Sequence, residues 1–448
     1  MANLIEVTNI RSGNPGLSGW NEILPKPAPA RLLEKTVTAD WLVIGGGFAG
    51  LAAARRLRQN RPHDQILLLE AIRIGEGAAG RSSGFMIDLP HDLNSDSYAG
   101  GAEKDRKQTE MNRKALAFAV QAAQEYGFSK EILDARGKIN VAATKKGDLH
   151  NRDYAEHLKE LGEKSTWLDA TEMKRISGTD YYLSGLYTPG AIMIQPAGFV
   201  RGMAEGLRSE VNIYENSPVI SLRRQGSDWK VKTSQGTVSV PKIILAVNGH
   251  LQSFGFMKQR LMHIFLFASM TRTLTEKEIN KLGGERNWEF VPADPMGSTV
   301  RRISGKAGDR IVVRNKFKFK SSVEISERSV EIAARDHDRS FTARFPMLKA
   351  VEMEYRWGGR LCLSWNDVPV FGELEDGIFA ACCQNGLGAS KGTLSGILAA
   401  DYATGTENPY VADYLDAEKP SLLPPEPFAS IGATVYLHWK EKQAGREK

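Results

Sequence analysis

The chain is poor in cysteine, with three among 448 residues, at Cys362, Cys382 and Cys383. That is too few and too clustered for a disulfide framework, and neighbours such as Cys382 and Cys383 rarely bridge each other. Neither C-x-x-C nor C-x-x-x-x-C occurs, which excludes a disulfide reductase. Long hydrophobic runs are missing too: none approaches the ~20 apolar residues that span a bilayer. The N-terminus, MANLIEVTNIRSGNPG, has no basic segment followed by an apolar one, so no secretory signal is read there. The cytoplasm is the default compartment. The eight histidines form no H-E-x-x-H and no close pair, which argues against metal-assisted hydrolysis. No metal ligands are assigned.

What is present is an ordinary soluble balance, 42% hydrophobic and 25% charged residues, long enough for two to three domains. That balance excludes a disordered, collagenous or coiled-coil chain. The net charge is +6, from 59 basic against 53 acidic residues. Nucleic-acid binders usually cluster such charge on one face or helix. Here the densest run is RIVVRNKFKFK, Arg310 to Lys320, whose alternation reads as a strand with one charged face, solvated or facing a cavity. No nucleic-acid partner is expected. A mild positive excess also suits an anionic small substrate or a phosphate-bearing cofactor.

Residues 1–37, with Pro15, Pro25, Pro27 and Pro29 and no periodicity, read as an arm lying over the surface. Order begins at Trp41-Leu42-Val43-Ile44, an apolar run suited to a buried parallel strand. Gly45-Gly46-Gly47-Phe48-Ala49-Gly50 follows, then Leu51 to Leu57 with strong helix propensity. A second run, Ile66 to Leu69, ends in Glu70. Strand, glycine turn, helix, strand and acid make one βαβ unit. Further on, 104–126 reads as a long helix and Pro196 starts another. Residues 217–247 read as a strand pair and a buried strand, while 261–274 and 310–319 belong to a β-rich region. Ile378 to Cys383 is a buried strand leading into a helix that ends near 404. A Pro-rich tail closes with a short amphipathic helix around 435–442.

The G-x-G-x-x-G at Gly45, Gly47 and Gly50 is weak alone and strong in that context. Gly45 permits the tight turn, Gly47 admits a pyrophosphate to the backbone, and Gly50 lets helix and strand pack closely. The helix N-terminus, with Phe48 and Ala49, offers oriented N–H groups to phosphates. Glu70 and the adjoining Ala71 are placed for the adenosine ribose.

The loop Gly75-Glu76-Gly77-Ala78-Ala79-Gly80-Arg81-Ser82-Ser83-Gly84 then resembles the D-amino-acid oxidase/glycine oxidase family of flavoenzymes, whose loop commonly reads G-x-G-A-S-G-R-N-G-G. Three more segments are similar to that family. They are Ala246-Val247-Asn248-Gly249; Arg356-Trp357-Gly358-Gly359-Arg360 with Asp367-Val368-Pro369-Val370-Phe371-Gly372; and Asn385-Gly386-Leu387-Gly388 before the last helix. The Pro-containing arm and the closing Pro424-Pro425-Glu426-Pro427 resemble the γ-glutamylputrescine oxidase-like secondary-amine oxidases, the sarcosine/iminodiacetate oxidase type. The chain departs from the pattern at Ser82 and Ser83, and at Asn385 and Leu387.

The resemblance implies an α/β chain: a Rossmann-like FAD-binding domain from 38–103, 188–257 and 355–415. A mixed α+β substrate domain would come from 104–187 and 258–354, with 416–448 as a Pro-rich segment and helix. It implies FAD held by the residues above, with Gly80, Arg81, Gly84, Val219, Ala246, Gly249 and Gly386 to Gly388 among its contacts. It further implies oxidation of a secondary amine or N-substituted amino acid, a hydride equivalent passing to flavin N5, and reoxidation by oxygen to hydrogen peroxide. In the related sarcosine oxidases the corresponding strand carries an oxygen-activating lysine and, four residues on, a histidine. Arg310 takes the first place and Arg314 the second, with Arg314 as a carboxylate clamp; the alternative is a solvent-facing strand edge. Lys391, three residues past Gly388, is a second catalytic candidate, against an ordinary surface lysine. Cys362 reads as core, although some relatives bind flavin through cysteine. The rival functions are a flavin dehydrogenase passing electrons to a protein, and a tRNA-modifying flavoprotein.

Overall fold

The computed structural model describes residues 4–10, 13–90 and 100–448. Residues 91–99, inside the first predicted domain segment, lie outside them. Short apolar runs buried on both faces build a six-stranded sheet, because parallel strands flanked by other layers need no polar side. Its order is Asn212–Tyr214, Ile66–Leu69, Trp41–Ile44, Lys242–Leu245, Ile378–Cys382 and Val370–Glu375. All neighbours run parallel except the final pair.

One face of this sheet carries the helices Phe48–Asn60, Pro196–Leu207 and Ser390–Thr404, whose Ala53, Val200 and Ala400 pack with Val43, Leu68 and Ile244 in one core. The other face, through Leu42, Leu67 and Ile243, meets Leu222, Trp229, Val231 and Val240 of a five-stranded sheet. Burying each such leucine or isoleucine stabilises the fold by about 1.5–3 kcal/mol, so Leu42→Ala would cost about 2–5 kcal/mol once its cavity is included. The strands Leu4–Glu6 and Thr36–Thr38 close the two edges of that second sheet. The N-terminal arm is therefore part of the architecture, a correction to its reading as a surface strap.

The largest sheet has eight strands, in the order Met353–Leu363, Met262–Thr271, Arg310–Lys320, Thr299–Ile303, Trp288–Pro292, Lys138–Ala142, Ser184–Thr188 and Thr166–Leu168. Two expectations change here. Arg310–Lys320 is an interior strand with neighbours on both sides, not a solvent-facing edge. Met353–Leu363, which holds the Trp357-Gly358-Gly359 motif, belongs to this sheet and not to the six-stranded one. A bulge interrupts the charged strand: Leu266 pairs with Phe317 while Phe267 pairs with Asn315, leaving Lys316 between them at φ 64°. Arg314 and Phe317 consequently share a face. Without the extra residue, Lys316 would take the place of Phe317.

Candidate active site

The two large sheets enclose a cavity of about 390 Å³. Its floor is the glycine turn. Gly45 lies at φ 109°, a region open to glycine and costly for any side chain. A Cβ on Gly50 would fall 1.7 Å from the Gly45 carbonyl, so that glycine serves the contact between turn and helix. Gly47 differs: a Cβ there would meet only Ala79, at 3.6 Å. Nothing among the described residues needs glycine at 47, and the space above it opens into the cavity. That is the cradle a pyrophosphate would fill. Glu70 accepts from Gly46 N–H (2.8 Å) and Ile72 N–H (3.1 Å), and burial raises its pKa.

The loop over the turn is held from several directions. Arg81 donates to four carbonyls: Glu76, Pro15, Gly358 and Gly16. Burial lowers its pKa to about 10. Trp20 Nε1 donates to the Ser82 carbonyl, Trp357 Nε1 to that of Arg81, and Arg301 Nη1 to that of Ser83. Arg81 is thus a knot joining arm, loop and large sheet. Gly80 lies beneath the loop, where a Cβ would strike the Gly75 carbonyl at 1.9 Å.

Most of the expected cofactor residues reach the cavity: Gly45, Gly47, Phe48, Ala49, Glu70 and Ala71, then Arg81 to Gly84, Val219, Ala246 and Gly249, and Gly386 to Gly388. Gly50, Gly80, Asn385 and Lys391 do not line it. Asn385 instead accepts from the Ser364 N–H (2.8 Å), tying the turn to the large sheet. Lys391 is the second residue of Ser390–Thr404, half-buried and off the lining.

The catalytic candidates separate. Arg314 lines the cavity and donates from Nε to Ser83 Oγ at 3.0 Å, touching the predicted flavin loop. Arg310 lies four residues towards the other end of the strand, outside the lining. Its guanidinium donates to the Thr271 carbonyl and pairs with Glu354. Arg310, expected at oxygen, thus stands away from the cavity: the strand of 11 residues runs past it and carries its far arginine beyond the lining. Cys362 lines the cavity as a buried thiol, while Cys382 and Cys383 are core.

Three side chains in the lining escaped the sequence reading as site residues. Arg360, buried over the Phe265 ring, shares a hydrogen bond with His250 Nε2. Burial and the neighbouring guanidinium push His250 down to about 3, so this imidazole is neutral and its Nε2 accepts. Gln384 is buried, and neither amide atom has a hydrogen-bond partner among the described residues. Arg360 closes the quoted Arg356-Trp357-Gly358-Gly359-Arg360 motif and His250 directly follows Gly249, which was the available signal; Gln384 had none beyond its place before Asn385.

The FAD dependent oxidoreductase family model matches residues 40–402. The chain belongs to the FAD-dependent oxidoreductase family. It is 24% identical to a probable oxidoreductase OrdL of Haemophilus influenzae over 82% of this chain and 84% of that one. It is 25% identical to the γ-glutamylputrescine oxidoreductase of Escherichia coli over 85% and 87%. Among solved structures, glycine oxidase from Geobacillus kaustophilus superposes with a TM-score of 0.68 at 17% identity, covering 84% of this chain and 98% of that one. Iminodiacetate oxidase from Chelativorans sp. BNC1 gives 0.65 at 15% identity, covering 82% and 96%. These likenesses agree with the glycine oxidase-like fold. In this FAD-dependent oxidoreductase the cofactor fits the residues present: a backbone cradle at Gly47, a carboxylate at Glu70 and the buried amide of Gln384 all face one cavity. Among the described residues no helix is long and apolar enough to cross a membrane.

Proposed function

We propose that this FAD-dependent oxidoreductase oxidises a secondary amine or N-substituted amino acid that bears a carboxylate, of the sarcosine, iminodiacetate or γ-glutamylputrescine type. The observation that carries the reading is Arg314, a guanidinium on the wall of a largely apolar cavity, bonded to the loop expected to cover the flavin. FAD, when bound, accepts the electron pair and hydrogen taken from the carbon next to nitrogen. The chain's own work is placement. Arg314 presents a fork that matches a carboxylate in two hydrogen bonds. Leu266, Phe317 and Leu361 keep water from the reacting carbon, and the low local dielectric strengthens every charge contact inside. Arg360, fixed by neutral His250, supplies the buried positive charge that developing negative charge on oxygen requires. The balanced reaction consumes amine, oxygen and water, and yields a carbonyl compound, hydrogen peroxide and the nitrogen fragment left by hydrolysis, a shorter amine from a secondary amine or ammonia from a primary one.

The test is a panel of amines with and without carboxylates, measuring oxygen uptake and peroxide together. The reading requires carboxylate-bearing secondary amines to give the highest kcat/KM and one peroxide per oxygen. Turnover only with an artificial electron acceptor would replace the oxidase by a dehydrogenase. Preference for amines without a carboxylate would remove the clamp.

A further inference from the structure

The C-terminal helix Phe428–Ala444 is apolar on two opposite sides. Its inner side, Ala429, Ala433 and Leu437, packs on Ile264, Leu266, Phe319 and Leu361 of the large sheet. Its outer side carries Phe428, Ile431, Val435, Tyr436 and Trp439, each more than half exposed. These positions follow the helical repeat and form one continuous stripe. The sequence reading of a short amphipathic helix is corrected on this point, since the outward face is the more hydrophobic one. Two further apolar side chains are exposed outside the helix, Leu422 at 62% and Trp365 at 68%, on segments tied together by Asn366, which donates to the Lys419 carbonyl and accepts from the Ser421 N–H. A row of five exposed apolar side chains along one helix is the kind of surface that marks an interaction site on a soluble protein.

We propose that this face docks on an anionic bilayer surface, with the helix lying in the interface plane. Charge selects the occupant. From Phe428 to Ala444 the one carboxylate is Glu441, buried against Lys316 and Lys448. The stripe is edged by Lys440 and Lys442. Lys440 stands over the rings of both Tyr436 and Trp439, at 5.8 and 5.6 Å, so its charge is held at the rim beside the aromatic side chains. Aromatic rings at headgroup depth with lysines beside them are the composition of interfacial helices. Two copies of the helix packed together would bury these lysines with no exposed helix carboxylate to answer them. The helix has 17 residues and lies flat on the sheet, so docking needs no crossing. Its inner side rests on Leu266 and Leu361, which also line the cavity. Docking would bring the cavity wall within about one helix diameter, ~10 Å, of the lipid.

The experiment is co-sedimentation of the FAD-loaded protein with vesicles of phosphatidylcholine alone or mixed with phosphatidylglycerol. Binding to the mixed vesicles, weakened by salt and much lower on the neutral ones, is the expected result. The triple variant Phe428→Ser, Val435→Ser, Trp439→Ser should lower the bound fraction at least ~10-fold while keeping its flavin absorbance. Lys440→Glu with Lys442→Glu, a change that leaves the apolar stripe whole, should abolish the preference for phosphatidylglycerol. Wild type that stays in the supernatant with both vesicles overturns the proposal, as does equal sedimentation of wild type and triple variant. A wild-type dimer in light scattering that the triple variant splits, with vesicles binding neither, overturns it in favour of a second copy of the chain.

Discussion

Arg310 and Arg314 share a strand and a face, and only the second meets the cavity. Their substitutions should therefore differ in kind. Arg314→Lys keeps the charge and loses the fork, because a lysine cannot match a carboxylate in two parallel bonds. For a carboxylate-bearing amine KM should rise at least ~10-fold, while an amine lacking the carboxylate reacts as poorly with the variant as with the wild type. Equal losses on both substrates would make Arg314 a support for Ser83 and its loop. Arg310→Gln removes a charged partner from the Thr271 carbonyl and from Glu354. It should cost about 1–3 kcal/mol of stability, read as a lower Tm, with kcat and the rate of reaction with oxygen unchanged. A selective loss of the oxygen reaction would return Arg310 to the site. Gly47→Val tests the cradle. Since a Cβ at 47 meets nothing closer than Ala79, at 3.6 Å, and the space beyond is the cavity, the variant should fold, show native circular dichroism and emerge colourless. Normal flavin retention would take position 47 out of the site.

Elements differed in how far the sequence revealed them. Strand Trp41–Ile44, the glycine turn, helix Phe48–Asn60 and Glu70 were legible because everything that defines them is local: apolar runs of strand length, a turn needing glycine, an acid at a strand end. The bulge at Lys316 was illegible, since it is fixed from far along the chain by Glu441, which accepts from Phe317 N–H at 2.9 Å and pairs with Lys316. Alternation alone cannot report such a partner. It predicted the shared face of Arg310 and Arg314 correctly, and could not say where along the strand the cavity ends. The arm was misjudged for a related reason. Its prolines and glycines mark irregular backbone, and its Trp20 has a structural role only through contacts with residues far along the chain, from Ser82 to Trp357. Trp20 Nε1 holds the Ser82 carbonyl, and its own carbonyl accepts from Gln195. Trp20→Ala should thus loosen the flavin loop, weakening FAD affinity at least ~10-fold, the worth of roughly 1.4 kcal/mol, without unfolding the six-stranded sheet. Flavin release followed by fluorescence is the measurement, and unchanged affinity would reduce the arm to an edge strand.

Across the whole molecule, two buried histidines, His263 and His337, and the half-buried His250 give the fold an acid limit. Burial pushes His250 down to about 3, and His263 and His337 each to about 4. Arg360 adds repulsion for the first two, and His337 is enclosed with Ser269 Oγ at its Nδ1. In the unfolded chain each would take up a proton near pH 6.5. Between that value and about 4 the unfolded state binds more protons than the folded one, so stability falls as pH falls. It is fully present above pH 6.5. Each histidine contributes a slope of up to roughly 1.4 kcal/mol per pH unit inside the window, and the three act together in the middle of it. The expected outcome is a Tm nearly flat from pH 8 to 7 and falling steeply from about 6 to 4.5, well before most carboxylates titrate. His337→Gln isolates one member, since it lies on the helix Glu327–Arg344, away from the cavity lining. The glutamine cannot take a proton. The variant should start less stable at pH 7, having lost part of its packing, and then lose stability less steeply on acidification, so that the two curves converge towards pH 4.5. Parallel curves would mean that His337 is protonated equally in the folded and unfolded chain, and the acid limit would then rest on His250 and His263 beside the cavity.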